Sequence, residues 1–327
     1  MKPISMKVDK SGHGMRLDVF LASHIKGLSR RRAQRMIEDG QVLCEGRKTK
    51  KGLVLAEGQK VEITARITEQ DFEPLPDDSI NIDVVFENDQ IIAISKPAGM
   101  HTVPLRAEEK GCVANFIAHR FPECIRAGDT KADAGLLSRL DSGTVGLVAA
   151  ARTPETFAKL VEARRNKRIF KCYMAVCIDN ESSRPAVQNH VGIDAGSIRK
   201  KAQWTAIRAS LAASASDPAR VVVADGSVPV RGMPSDSETR YAVLRKKDDL
   251  ILVAASIHRG FRHQIRVHLA HEGLALASDP LYGRPHKAAG GTMQLFSWFH
   301  SIDTDHAGIP AFIEAHIPDG MKKLFSR

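Results

Sequence analysis

The chain has 327 residues, 43% of them hydrophobic and 26% charged, with 24 glycines and 15 prolines. At ~100–200 residues per domain this length predicts two domains, and the composition excludes wholesale disorder and fibrous repeats. Formal net charge is +10, and no apolar run approaches the ~20 residues of a membrane span, since Val145 to Ala151 stops at Arg152.

The first residues, Met1 to Lys7, lack the apolar core of a secretory signal. None of the five cysteines forms C-x-x-C, and Cys172 and Cys177 fall on opposite faces of a strand-like run. The expectation is a reducing cytoplasm, with no disulfide, zinc knuckle or membrane association. Charge is unevenly spread: Lys26 to Lys51 carries +6 and Lys159 to Lys171 carries +5, leaving the remainder at −1. Such windows suit either a polyanionic partner or two solvated faces.

In chain order, Arg16 to Ile25 places Leu17, Phe20, Leu21 and Ile25 on one helical face. A second helix starts at Ser29 as N-cap, with Leu28 as a staple before it. Ala33, Met36 and Ile37 form its apolar side, while Arg31 and Arg35 stack one turn apart elsewhere. Gly40 ends that helix, Val42-Leu43-Cys44 begins a strand, Gly46 turns the chain, and Val61-Glu62-Ile63 closes the module. Glu69 to Asp78 is acidic and contains Pro74 and Pro76, so residues 1–68 read as one domain, 69–79 as a linker and 80–327 as a second domain.

Ile80, Ile82 and Val84 alternate as a strand, and Ile91 to Ser95 forms another that ends at Lys96-Pro97-Ala98-Gly99. Leu147 to Ala150 reads as a buried strand. Thr153-Pro154 caps a helix with Phe157, Leu160 and Val161 on one face. Ile169 to Ile178 and Leu250 to Ile257 are further strands. Between about 180 and 237 the chain is rich in Ala, Ser and Asp without a steady period, which predicts an irregular insertion.

The set Arg16-Leu17-Asp18, Leu28-Ser29-Arg30-Arg31, Ile37, Gly40-Gln41-Val42, Gly46 and Gly58-Gln59-Lys60-Val61 resembles the αL RNA-binding motif. That motif is shared by a small-subunit ribosomal protein, tyrosyl-tRNA synthetases and several RNA-modifying enzymes. Arg30, Arg31 and Arg35, with the turn bearing Lys48, Lys50 and Lys51, suit the phosphates of folded RNA without reading sequence. Binding of that kind is salt-sensitive.

Five further blocks occur in order: Lys96-Pro97-Ala98-Gly99-Met100-His101, Ser138-Arg139-Leu140-Asp141-Ser142-Gly143-Thr144, Lys171-Cys172-Tyr173-Met174-Ala175, His263-Gln264-Ile265-Arg266-Val267-His268 and Asp279-Pro280-Leu281-Tyr282-Gly283. From about residue 80 to about 285, apart from the insertion, the chain is similar to an RluA-type pseudouridine synthase. The resemblance implies an α+β fold with a mixed, mostly antiparallel central sheet, and an isomerase that detaches uracil, rotates it and rejoins it through a ring carbon. It implies Asp141 as catalytic aspartate, Tyr173 packed on the target base and Arg266 paired with Asp141. Arg139, His263, Gln264 and Lys171 are the substrate contacts it suggests. No cofactor is implied; the RNA is large-subunit ribosomal RNA first and tRNA second, and the chain is a monomer.

The side chains suit that chemistry. Breaking a glycosidic bond develops positive charge at the sugar, which a carboxylate can offset or trap covalently. An adjacent arginine favours the charged carboxylate in a secluded site. Phe170, Cys172, Met174 and Val176 share one face of their strand, which leaves Tyr173 on the other with Lys171 and Ala175, as a platform for an extruded base. Alone, each residue has a plainer reading: Tyr173 as a core tyrosine, Asp141 as a turn residue, Arg266 as a helix-surface arginine. Lys96-Pro97 and the Asp279 to Gly283 block read as scaffold.

The chain departs from the family at Ser138, where His is usual, at Val145, where Ser is usual, and at Phe261, where Arg is usual; Arg259 and Arg262 are candidates to compensate. His263 and His268 lie ~140° apart around a helix and share no metal from it, and no nucleotide-binding glycine motif occurs. The rival from another class is a non-catalytic RNA-binding or ribosome-assembly factor that retains the fold.

Overall fold

The computed structural model describes residues 4–25, 28, 30–38, 40–64, 72–179, 186–287 and 290–325. The chain divides into two compact units, Met1–Phe72 and Glu73–Arg327. In the first, helices α1 (Leu17–His24) and α2 (Arg30–Glu38) accompany strands β1 (Ile4–Lys7), β2 (Val42–Cys44), β3 (Arg47–Lys48) and β4 (Lys60–Ile63). The strands form an antiparallel sheet in the order β1-β4-β2-β3. Leu17, Phe20 and Leu21 of α1 and Ala33, Met36 and Ile37 of α2 bury against Val42, Val61 and Ile63, the faces expected from their spacing. Gly40 leaves the second helix at φ +71°, a C-terminal cap open to glycine. The expected cap Ser29 lies outside the described residues.

The second unit is built on β5 (Asp83–Glu87), β6 (Ile91–Lys96), β7 (Val145–Ala151), β8 (Ile169–Ile178), β9 (Thr205–Ser214), β10 (Val221–Val223), β11 (Val230–Lys247), β12 (Leu250–Ile257), β13 (Leu295–Ile302) and β14 (Phe312–Glu314). Helices α3 (Val113–Arg120), α4 (Pro154–Arg165), α5 (Ala195–Lys201), α6 (Gln264–His271) and α7 (Asp319–Phe325) accompany them. The ten strands form one sheet in the order β10-β9-β11-β12-β8-β13-β7-β6-β5, with β14 beside β13. Only β13 and β7 pair in parallel, so the sheet is mixed and mostly antiparallel. Strand β8 is central: Cys172, Met174, Val176 and Ile178 pack into one apolar cluster, Tyr173, Ala175 and Cys177 into another. The period-two assignment of faces therefore holds, but both faces are covered, and Tyr173 is buried rather than on a polar side.

Three expectations need correction. The insertion is not irregular where it is described. After residues 180–185, which lie outside the described residues, α5 is capped by Asp194, and β9, β10 and β11 add three strands to the sheet. The strand Thr205–Ser214 is rich in alanine and serine, which carry little strand propensity, so its ladder with β11 holds a segment that side-chain pattern does not announce. The strand expected from Ile80 starts instead at Asp83, while Ile82 packs into the core ahead of it. The linker is also shorter than expected. Residues 65–71 lie outside the described residues, but Leu75 O accepts from Asn115 Nδ2 at 2.8 Å, and Asp77 accepts from Ser79 and from Gly111 N. Residues 75–79 are thus fastened to the second unit.

Gly146 permits the parallel contact on which the sheet closes. Its φ is +103°, and a Cβ there would lie 2.2 Å from Ser297 O and 2.7 Å from the Phe296 ring. Gly146→Ala adds both left-handed strain and a backbone clash. Its expected effect is a melting temperature lowered by about 5 °C or more, read by calorimetry of the full chain.

Candidate active site

Asp141 sits in the turn that leads into β7, and both its neighbours are pinned. Thr102 Oγ1 donates to Leu140 O at 2.8 Å and accepts from Leu140 N at 3.0 Å. On the other side, Ser142 O accepts from Gly99 N at 2.8 Å and from Lys96 Nζ at 3.0 Å. Lys96 also donates to Pro97 O and Met100 O, so one buried ammonium gathers three carbonyls and ties the 96–100 turn to the aspartate loop. Burial pushes its pKa down to about 8, and the charge of Asp141 opposes that push. The Asp141 side chain itself is 27% exposed. It is fixed at its backbone and open at its carboxylate.

The arginine that meets it comes from α6. Arg266 donates from Nη1 to Asp141 Oδ2 at 2.9 Å. Its other edge makes a fork with Asp279, Nε to Oδ2 at 2.8 Å and Nη2 to Oδ1 at 2.7 Å. Asp279 Oδ1 also accepts from Leu281 N and Tyr282 N, which leaves the buried carboxylate well satisfied. Burial alone would raise the Asp279 pKa, but Arg266 and the two amides hold it below the usual 3.8. Burial would weaken the Arg266 charge, and the two carboxylates outweigh it, raising its pKa. The guanidinium lies 5.1 Å from the Tyr282 ring centroid.

Tyr282 holds His263 beside this cluster. Its hydroxyl accepts from Val221 N at 2.8 Å and lies 2.9 Å from His263 Nδ1. The other ring nitrogen, Nε2, lies 3.8 Å from Asp141 Oδ2. Burial pushes the His263 pKa down to about 4, although Asp141 pulls it upward. His263 is therefore a neutral imidazole next to the carboxylate.

Tyr173 projects into the apolar cluster with Ile265, Met293 and Leu295, against which Leu140 also packs. Burial raises its pKa, a hydrogen bond with Ser297 opposes the shift, and the charge of Asp141 adds to it. It stays a neutral phenol within electrostatic reach of Asp141.

The remaining expected contacts divide. Arg139 is exposed beside Asp141, and Lys48 is exposed on β3. The side chains of Arg31 and Arg35 lie outside the described residues. Arg30 does not stand free on the helix face: its Nε donates to buried Asp18 at 2.9 Å, alongside Arg16 and Gln34. Gln264 is internal. Its Oε1 accepts from Phe261 N, and its Nε2 donates to Glu238 O and Thr239 Oγ1, bonds that leave it no reach toward substrate. Lys171 is 4% exposed and cannot touch a phosphate from that position. Of the compensating candidates, Arg262 donates to Pro218 O and Ala219 O, while Arg259 is exposed. Phe261 packs with Leu211, Val221 and Tyr282. The Asp279 to Gly283 block reads as scaffold in the sequence, whereas the structure makes Asp279 the fork partner of Arg266, a pairing that no shared period of α6 and the 279–283 turn announces. Among the described residues no cluster of His, Cys, Asp or Glu is arranged to hold a metal ion.

Comparison with known proteins identifies the family. A family model described as RNA pseudouridylate synthase matches residues 90–271, and the S4 domain model matches residues 15–61. The chain belongs to the RNA pseudouridylate synthase family, with an S4 domain before the synthase region and RNA as its partner. It is 30% identical over 338 positions to ribosomal large subunit pseudouridine synthase D of Yersinia pestis, an alignment covering 99% of this chain and 94% of the relative. An RNA pseudouridine synthase of Chloroflexus aurantiacus is 31% identical over 82% of this chain and 75% of its own length. In fold, the chain is similar to human RNA pseudouridylate synthase domain containing 1, at a TM-score of 0.51 and 18% identity, covering 73% of this chain and 84% of that one.

Asp279→Asn removes one of the two carboxylates that hold Arg266. Single-turnover pseudouridine formation is expected to fall ~100-fold through misplacement of Asp141. Stability should fall by ~3 kcal/mol at pH 7, since half of a buried ion pair is lost. The Asp279 pKa is depressed on folding, so this contribution is fully present above 3.8 and fades as pH falls through the lower native value. Urea unfolding of both proteins from pH 7 to pH 3 checks the convergence.

Proposed function

We propose that this chain isomerises uridine to pseudouridine at specific positions in structured large-subunit ribosomal RNA. The choice of RNA rests on relatives named ribosomal large subunit pseudouridine synthase D in Yersinia pestis and Escherichia coli, which align along most of the chain; tRNA is the second candidate. The observation that carries the catalytic reading is Asp141, a part-exposed carboxylate whose loop is pinned on both sides and whose Oδ2 is gripped by Arg266.

In this reading the C1′–N1 bond of the target uridine breaks with its electron pair leaving on N1. Asp141 bonds to C1′ or offsets its positive charge. The freed uracil turns until C5 faces C1′, and a C5 electron pair forms the new bond as the carboxylate is released. C5 then loses a proton and N1 gains one, so atoms and electrons balance within the nucleotide. Arg266 holds the carboxylate in place with His263 beside it, and the Tyr173 ring supports the base after Leu140 and its neighbours yield. The exposed Arg139 and the lysines of the first unit meet backbone phosphates. We place the enzyme in the cytoplasm as a monomer; five free cysteines and relatives named for the large ribosomal subunit support the compartment.

Chemical mapping of pseudouridine in total RNA tests the proposal. Deleting the gene should remove one or more large-subunit sites, which the wild-type chain restores and Asp141→Asn does not. In vitro the variant should lose at least ~10⁴-fold in rate while still retaining RNA on a filter. An unchanged map in the deletion strain defeats the enzyme reading and favours a binding factor.

A further inference from the structure

A second group of charges lies behind the aspartate loop, in a cavity between α4, β7, β8 and β13. Leu137 and Ser138, shortly before Asp141, form one wall, and its polar lining is Ser138, Arg164, Lys171 and His300. It has room for about one water-sized particle. Lys171 and His300 are register partners on β8 and β13, and each is 4% exposed. Among the described residues nothing accepts a hydrogen bond from the Lys171 ammonium and no carboxylate pairs with it. His300 Nε2 is buried without a partner. Arg164 donates one Nη1 to Leu137 O and keeps its remaining donors.

No acid lines this cavity. Asp129 is within electrostatic reach of Arg164, but so are Arg259 and Arg165. Burial, helped by Arg164, pushes the Lys171 pKa down to about 8, and burial with the Lys171 charge pushes His300 down to about 3. At neutral pH Lys171 therefore still carries its proton, and a buried ammonium without a counter-charge is costly.

We propose that this cavity is a binding site for a small inorganic anion of halide size, held by Lys171 and Arg164 with His300 and Ser138 beside it. A phosphate or carboxylate ligand exceeds the space, and among anions only a single-atom halide is small enough to enter it and supply the missing charge. Bound there, the ion braces the segment 137–138 that leads to Asp141. The site is independent of which RNA the enzyme modifies.

Melting of the full chain in potassium chloride and in potassium gluconate at equal ionic strength separates site binding from screening. Chloride should raise the wild-type melting temperature by ~2 °C or more over gluconate, and Lys171→Met should remove the difference. Crystals soaked in potassium bromide should show an anomalous peak between Lys171 and Arg164, a readout that does not depend on the variant folding. Equal wild-type melting in the two salts, the same chloride gain in Lys171→Met, or a cavity holding only water after the bromide soak would each overturn the proposal.

Discussion

Arg266 is 6% exposed at its side chain, and an arginine can rest that deep only when its charge is answered. Two carboxylates answer it, from segments that follow β6 and α6 respectively, and they play unequal parts. Asp279 takes the Nε/Nη2 edge as a fork and is itself held by two backbone amides. That fixes the plane of the guanidinium and with it the direction of the remaining Nη1 toward Asp141. A lysine offers a point charge on a flexible stem and sets no such plane. The backbone is bent to make the arrangement: His263 and Ser278, just before α6 and Asp279, sit at φ +56° and +58°. Non-glycine residues there cost on the order of 1–3 kcal/mol each.

The charges of this cluster are nearly balanced around the Asp141 carboxylate. Two carboxylates face one guanidinium, His263 is neutral, and the Lys96 ammonium lies within electrostatic reach of Asp141, so the exposed carboxylate is held between two cations. The first unit uses a buried carboxylate differently. Asp18 is inaccessible and collects Arg16, Arg30 and Gln34, yet the two arginines remain 36% and 51% exposed. One aspartate thus sequesters an arginine to aim another acid, while the other holds arginines at a surface where phosphates can still reach them.

What could be read from the sequence follows from the range of each interaction. Ile169–Ile178 and Leu250–Ile257 were legible to the residue because their patterns are local and their ends are marked. The α4 start was legible because Thr153 accepts from Thr156 N next to a first-turn proline. Asp141, Tyr173 and Arg266 stood out by motif, but nothing local joins residues 125 positions apart in the chain. Burial was the harder quantity. Lys171 and Gln264 carry polar groups that resemble RNA contacts by type, and only the packed chain shows each one enclosed. The insertion was illegible for the opposite reason: its strands are held by ladder bonds that alanine and serine make as well as any residue.

The segment around 180–237 also supplies the surroundings of Phe261. The β9–β10 hairpin brings Leu211 and Val221 against the Phe261 ring, and Val221 N supplies the hydrogen bond that orients the Tyr282 hydroxyl. From the same hairpin, Arg220 donates to Leu281 O and lies 5.5 Å from the Tyr282 ring. Phe261 lies against an apolar patch, and its neighbour Tyr282 is held from the hairpin by Val221 N and Arg220. Tyr282 in turn touches both His263 and Arg266, the two side chains beside the Asp141 carboxylate, so a segment with no charge of its own facing the carboxylate supports the residues that surround it.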